Sequence, residues 1–198
     1  MSSLMDLLQA TVKDSSISEI SRQLGKDEKT TSNAIDAALP MLLGALSRST
    51  KQDDGAGLDR TLATRHDGSI LNDVAGYVSK NDQQDGNGIL GHILGQNKGI
   101  AAQMLGSSSG IGQDKAASLM ATLAPVVLGA LGKAKADNKL GAGDLTRMLA
   151  GESESLQQRA PTMMNAVWGL LDADGDGDTD LMDLVKHGGK GLLGRFLR

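Results

Sequence analysis

Residues 113–135, QDKAASLMATLAPVVLGALGKAK, decide the fold class. Leu119, Met120, Leu123, Val126, Val127, Leu128 and Leu131 recur at helical spacing, the strongest such pattern in the chain. Pro125 stands in the middle, where a proline kinks or divides a helix. The pattern has an echo: residues 25–49 align without gaps on residues 110–134, and Pro40-x-x-Leu43-Gly44-Ala45-Leu46 matches Pro125-x-x-Leu128-Gly129-Ala130-Leu131. Two copies predict a pseudo-twofold helical body rather than a solenoid, which needs about three repeats. Gly and Ala just after each proline permit close backbone approach between the copies. A ligand channel between the two kinks is the functional alternative.

Composition agrees with an all-α body. The 198 residues are 39% hydrophobic, enough for a core, yet only Tyr77, Trp168 and Phe196 are aromatic. With 26 glycines, 3 prolines and few β-branched residues, the chain lacks the material of sandwiches and barrels. The absence of cysteine excludes disulfides, thiolate metal sites and cysteine nucleophiles. A net charge of −4 leaves no electrostatic footprint for nucleic acid. The opening MSSLMDLLQATVKD has neither a basic n-region nor a long apolar h-region. The longest apolar runs, 35–46 and 119–131, fall short of the roughly 20 residues that span a bilayer. The expectation is a soluble protein, cytoplasmic by default, with signal-independent export left open.

Outward from the two proline segments the chain reads as short helices. Leu4, Met5, Leu7 and Leu8 fit one face of the first. Ser15 or Ser16 caps a second carrying Ile17, Ile20 and Leu24, which Gly25 stops. The proline-bearing segment at Pro40 starts near Asp27. Residues 47–57 read as a surface loop, 58–62 and 70–78 as helices, and 79–88 (SKNDQQDGNG) as a turn-rich connection. Residues 89–94, 100–105, 144–149 and 152–171 complete the helical set.

Four strings carry a family resemblance: the P-x-x-L-G-A-L motif at Pro40, HDGSIL at 66–71, DGNGILGHILG at 85–95 and APVVLGAL at 124–131. Together they resemble the YidB-like family of bacterial proteins, a domain of unknown function, over about residues 4–150. The resemblance implies a small all-helical fold and no catalytic residue. Residues 1–158 form the expected YidB-like domain. Residues 159–198 depart from the family pattern as an EF-hand-like hairpin with a basic tail.

That extension holds the sharpest chemical signal, DADGDGDTDLMD at 172–183. An EF-hand loop takes oxygen ligands at positions 1, 3, 5, 7, 9 and 12, with glycine at 6 for the sharp turn. Counted from Asp172, these are Asp172, Asp174 and Asp176, the backbone carbonyl of Asp178, Asp180 and Asp183, with Gly177 at the turn. Six carboxylates in twelve residues repel one another, and a hard divalent ion relieves that repulsion. Ca²⁺ is the expected ion, with Mg²⁺ as the other candidate. Met163, Met164, Val167, Trp168 and Leu171 supply an incoming apolar face, and Leu181, Leu184 and Val185 begin an outgoing one. Asp rather than Glu at position 12 resembles dockerin-like loops. Thr179 at position 8 favours a lone structural site over a paired sensor.

Other signals read as structure. Gly86-Asn-Gly-Ile-Leu-Gly91 matches a dinucleotide fingerprint but follows no strand, so it reads as a glycine-rich turn feeding a helix. Gly106-Ser-Ser-Ser-Gly110 matches a nucleophile elbow without a sheet, and reads as a serine-rich linker or N-cap. His66, His92 and His187 lack metal-ligand spacing, and His92 is expected to be a partly buried, hydrogen-bonded core residue. Residues 17–35 have a helix-turn-helix rhythm, but Asp27 and Glu28 stand where phosphates would come, so nucleic acid is an unlikely partner. The tail KHGGKGLLGRFLR, residues 186–198, is basic and amphipathic. It suits docking on the protein, or contact with a membrane surface. The expectation is a non-enzymatic calcium-binding protein whose ion orders the C-terminal helix-loop-helix, with a protein partner. A DNA-associated module using the helix-turn-helix-like segment is the alternative.

Overall fold

The computed structural model describes residues 3–80 and 82–159, with isolated positions 161, 165 and 169 beyond them. The described residues form α1 (Leu4–Leu24), α2 (Glu28–Ser49), α3 (Ala56–Thr64), a 3-10 turn (Ser69–Asn72), α4 (Val74–Ser79), α5 (Gln84–Leu94), a second 3-10 turn (Gly95–Asn97), α6 (Lys98–Ser109), α7 (Gln113–Asn138) and α8 (Ala142–Arg159). Among them there is no strand, as the composition requires.

Two helices make the core. In α7 every residue from Leu119 to Gly132 is buried, and in α2 every residue from Ala38 to Ser47. A helix apolar on all sides must be enclosed, and the others enclose this pair. α1 packs on α2, α4 and α7; α5 and α6 cover α7 and α2; α8 lies along α2 and α3. α7 is long and apolar enough to cross a bilayer, but 83% of that stretch is buried inside the protein, consistent with the core helix of a soluble protein. Leu39, Leu42, Leu43, Leu123 and Leu131 are at most 1% exposed. Each contributes roughly 1.5–3 kcal/mol of apolar burial.

The chain enters and leaves these helices by local chemistry. Ser3 and Asp6 form a reciprocal capping box on α1, and Glu152 accepts the Leu4 amide at 2.9 Å, tying α1 to α8. Gly25 and Gly110, equivalent positions of the two aligned segments, adopt φ of +57° and +71° and end α1 and α6. Asp27 then caps α2 by accepting the Thr30 amide at 2.9 Å.

Several boundaries differ from the expectation. α1 is one helix, because Ser16 Oγ donates to the Val12 carbonyl one turn back instead of capping a new start. Residues 144–149 and 152–159 likewise belong to the single helix α8. Ser107–Ser109 are the last turn of α6, with Ser108 and Ser109 donating to the Leu105 carbonyl, so they are not a linker. Residues 70–78 split into a 3-10 turn and α4, because Asp73 accepts the Gly76 amide and starts a new helix. α2 and α7 continue through Pro40 and Pro125 without being divided.

Pro125 has a structural consequence. It carries no N–H for the Ala121 carbonyl four residues earlier, so that buried oxygen lacks its helical donor. Gly86, in the first turn of α5, packs its Cα directly on this carbonyl. A Cα–H···O contact of this kind is weakly favourable and needs a residue without a side chain. Gly86 therefore lies inside a helix, and the expected glycine-rich turn gives way to a close helix–helix contact. Gly132, about three turns further along α7 than Ala121, meets the backbone carbonyl of His66 in the same manner.

A methyl group at either position would overlap a carbonyl oxygen. Gly86→Ala and Gly132→Ala are predicted to cost about 1–3 kcal/mol through overpacking, lowering the melting temperature by roughly 3–10 °C. Gly151→Ala on α8, where a Cβ would meet nothing within 4 Å, should instead raise stability by about 0.5–1 kcal/mol. Thermal melts of the three variants check the contrast.

Candidate functional site

The close contacts on α7 fix two neighbouring segments. Docking of Gly86 places Asp85 at the mouth of a depression, and docking of Gly132 places His66 against it. His66 Nε2 lies 3.5 Å from Asp85 Oδ2, and Arg65 Nη2 donates to Asp85 Oδ1 at 3.1 Å. These two segments are the HDGSIL and DGNGILGHILG strings, distant in sequence and adjacent in space.

The depression is a cleft of about 770 Å³ between the C-terminal end of α2, α3 and α5. That volume lies within the range of small-molecule sites. Its apolar wall is Leu46, Leu58, Ile89, Ile93 and Leu128. Its polar wall carries Asp53, Asp82 and Asp85 against the single guanidinium of Arg65, with His66, His92, Gln52 and Gln84. Asp53 accepts the Gly55 and Gly57 amides at 3.2 and 2.6 Å, which aims the α2–α3 turn into the cleft. Asp82 accepts the Gln84 amide at 3.0 Å at the start of α5. A second depression of about 350 Å³ shares Arg65, His66 and Asp85 and extends to Tyr77 and Lys80.

Burial sets the ionisation here. His66 is only 7% exposed, and burial holds its imidazole below the usual histidine value despite the pull of Asp85. No hydrogen bond to its ring forms among the described residues; the Asp85 contact at 3.5 Å is too long for one. Burial, with Asp85 and Asp82 nearby, pushes the Tyr77 phenol up to about 12. Its hydroxyl is buried with no partner among the described residues.

The expectation that His92 is a partly buried core residue is not met. His92 is exposed and lines the cleft, whereas His66 is the buried one. The reason is register: Gly86, Leu90 and Leu94 face the core at four-residue spacing, and His92 lies about 200° around the helix from Leu90. Nothing in the spacing of His66 alone marks it; only its position before Asp67-Gly68, where the chain turns onto α7, could have done so.

Asp172, Asp174, Asp176, Asp178, Asp180 and Asp183 lie outside the described residues, as does the tail 186–198. Among the described residues, no group of three His, Asp or Glu side chains is placed to share a metal ion. The helix-turn-helix-like segment is α1, the Gly25 turn and α2, and α2 is enclosed from Ala38 to Ser47. Thr31, at its first turns, is fully buried.

A model of the family described as bacterial protein of unknown function (DUF937) matches residues 6–134. The YidB-like resemblance fits this family. No curated protein and no solved structure matches the chain.

Two outcomes test the burial at this site. His66 binds its proton less readily folded than unfolded, so its contribution to stability is complete above about pH 6.5 and is lost as pH falls toward the folded value. Melting temperature should therefore drop between pH 7 and 5, and His66→Asn should flatten that dependence. Tyr77→Phe removes an unpaired buried hydroxyl and should leave the melting temperature unchanged or raise it.

Proposed function

The chain belongs to DUF937, the bacterial proteins of unknown function, and on that premise we propose that it is a non-enzymatic calcium-binding protein. The ion orders a C-terminal helix-loop-helix, residues 159–198, appended to the helical body. The observation that carries this reading is the spacing Asp172-x-Asp174-x-Asp176-Gly177-x-x-Asp180-x-x-Asp183. It supplies hard oxygen donors at the intervals a twelve-residue calcium loop requires, with glycine where the loop turns sharply. Asp178 contributes its backbone carbonyl, leaving its carboxylate for water.

The role of the ion is structural. Without it the carboxylates repel one another, and with it the loop closes and fixes the angle between the flanking apolar faces. Those faces then present a surface for a protein partner, and the basic tail adds contact with that partner or with an anionic membrane surface. The body is a rigid platform. The matching P-x-x-L-G-A-L motifs on its two central helices, each led in by a left-handed glycine, support a pseudo-twofold arrangement of two copies.

Calcium is expected to raise the melting temperature of the metal-stripped protein, and Asp172→Ala combined with Asp176→Ala to abolish the rise. Calorimetric titration with Ca²⁺ and with Mg²⁺ should give one site per chain, with Ca²⁺ preferred. Identical melting curves in chelator and in millimolar calcium would refute the reading.

A further inference from the structure

The cleft at the α2–α3–α5 junction has a chemistry of its own, independent of the calcium loop. The glycines that seat its walls have structural duties, since Gly86 answers the Ala121 carbonyl and Gly132 admits the His66 backbone. The Asp85 and His66 side chains make no such backbone contact; Asp85 sits in the first turn of α5 with its carboxylate at the cleft. The Arg65–Asp85 pair is no structural clamp either, with the Arg65 side chain 69% exposed and Asp85 34% exposed. Such exposed pairs contribute at most about 1 kcal/mol. His66 is more than nine-tenths buried, lines the cleft, and makes no hydrogen bond among the described residues.

We propose that this cleft binds an organic cation, an aliphatic chain ending in a guanidinium or ammonium group. The chain lies on Leu46, Leu58, Ile89 and Ile93, and the head is held by Asp85. Three carboxylates against one guanidinium give the cleft a negative balance, and a cationic head answers it. The protein already displays the recognition: Arg65 itself is a guanidinium on an aliphatic stem, paired with Asp85 at the cleft wall. The ligand's head replaces it on Asp85, and the largely exposed Arg65 swings into water at little cost. His66 provides an uncharged wall beside the head, so it adds no repulsion.

This assignment makes Arg65 a competitor of the ligand, which a binding site for an anion would reverse. The test uses the full chain in chelator, which separates it from the calcium reading. n-Hexylguanidinium, n-hexanoate and n-hexanol are titrated while the imidazole nitrogens of His66, His92 and His187 are followed by long-range ¹H–¹⁵N NMR. Hexylguanidinium is expected to shift His66 and His92 saturably and leave His187 unmoved, with hexanoate and hexanol inert. Arg65→Gln should tighten binding about three-fold by freeing Asp85. Asp85→Asn should weaken it about ten-fold or more. Asp82→Asn, which leaves the His66–Asp85 contact in place, gives a smaller loss and serves if the Asp85 variant does not fold. A blocked Leu-Arg-Leu peptide binding more tightly than hexylguanidinium assigns the cation to a peptide side chain; the reverse order assigns it to a free small molecule. Hexanoate binding that Arg65→Gln abolishes, no shift with any probe, or an unchanged affinity in Arg65→Gln each overturns the proposal.

Discussion

A proline in the middle of a buried helix leaves one carbonyl without its donor, and the fold around α7 is built on how that group is answered. Pro125 frees the oxygen of Ala121, and Gly86 of α5 comes close enough to cover it with a Cα–H. A buried carbonyl left bare costs free energy, and α5 can approach this far only because residue 86 has no side chain. The same helix offers Gly129 to Ile70 and Gly132 to the His66 backbone. One face of α7 is thus a series of small residues and one orphan acceptor, and what docks at Ala121 and at Gly132 is backbone, with the Ile70 side chain between them at Gly129. Backbone contacts set position more rigidly than contacts between long side chains, which have rotamers to spare.

That rigidity transmits to chemistry. Asp85 is the residue before Gly86, and His66 is the residue whose carbonyl meets Gly132. Both members of the pair at the cleft are therefore held by the same helix, at most one residue from the contact that fixes them. The cleft wall contributed by α2 is equally constrained, since α2 is enclosed from Ala38 to Ser47. Polar groups displayed on such a frame keep their spacing without needing to bond to each other, and His66 and Asp85, 3.5 Å apart, do not.

How much of this the sequence disclosed depends on the range of the interaction. A helix start near Asp27, Gly25 as a stop and the enclosure of α7 follow from neighbours within a few residues, and all three were legible. The continuity of α1 was not, because Ser16 is compatible both with a cap and with a back-bond to Val12, and only tertiary packing on α2 chooses. Gly86 looked like a turn residue because helix propensity disfavours glycine. Its partner, the Ala121 carbonyl, is 35 positions away and invisible to any local pattern. The pairing of His66 with Asp85 was missed for the same reason, and His92 was misassigned because its apolar neighbours hid the register of α5. The aspartate loop is a different case: the carboxylates proposed to hold the ion all fall within twelve residues, so the proposal rests on spacing alone.

The claim on which the rest stands is that α7 seats α5 and the turn at residue 66 by direct backbone contact. Proton–proton Overhauser measurements on the folded protein test it without any substitution. Strong cross-peaks between the Gly86 and Ala121 α-protons, and between the Gly132 α-protons and the backbone of Asp67, are predicted. Their absence in a spectrum that otherwise shows the α2–α7 core contacts would contradict the account.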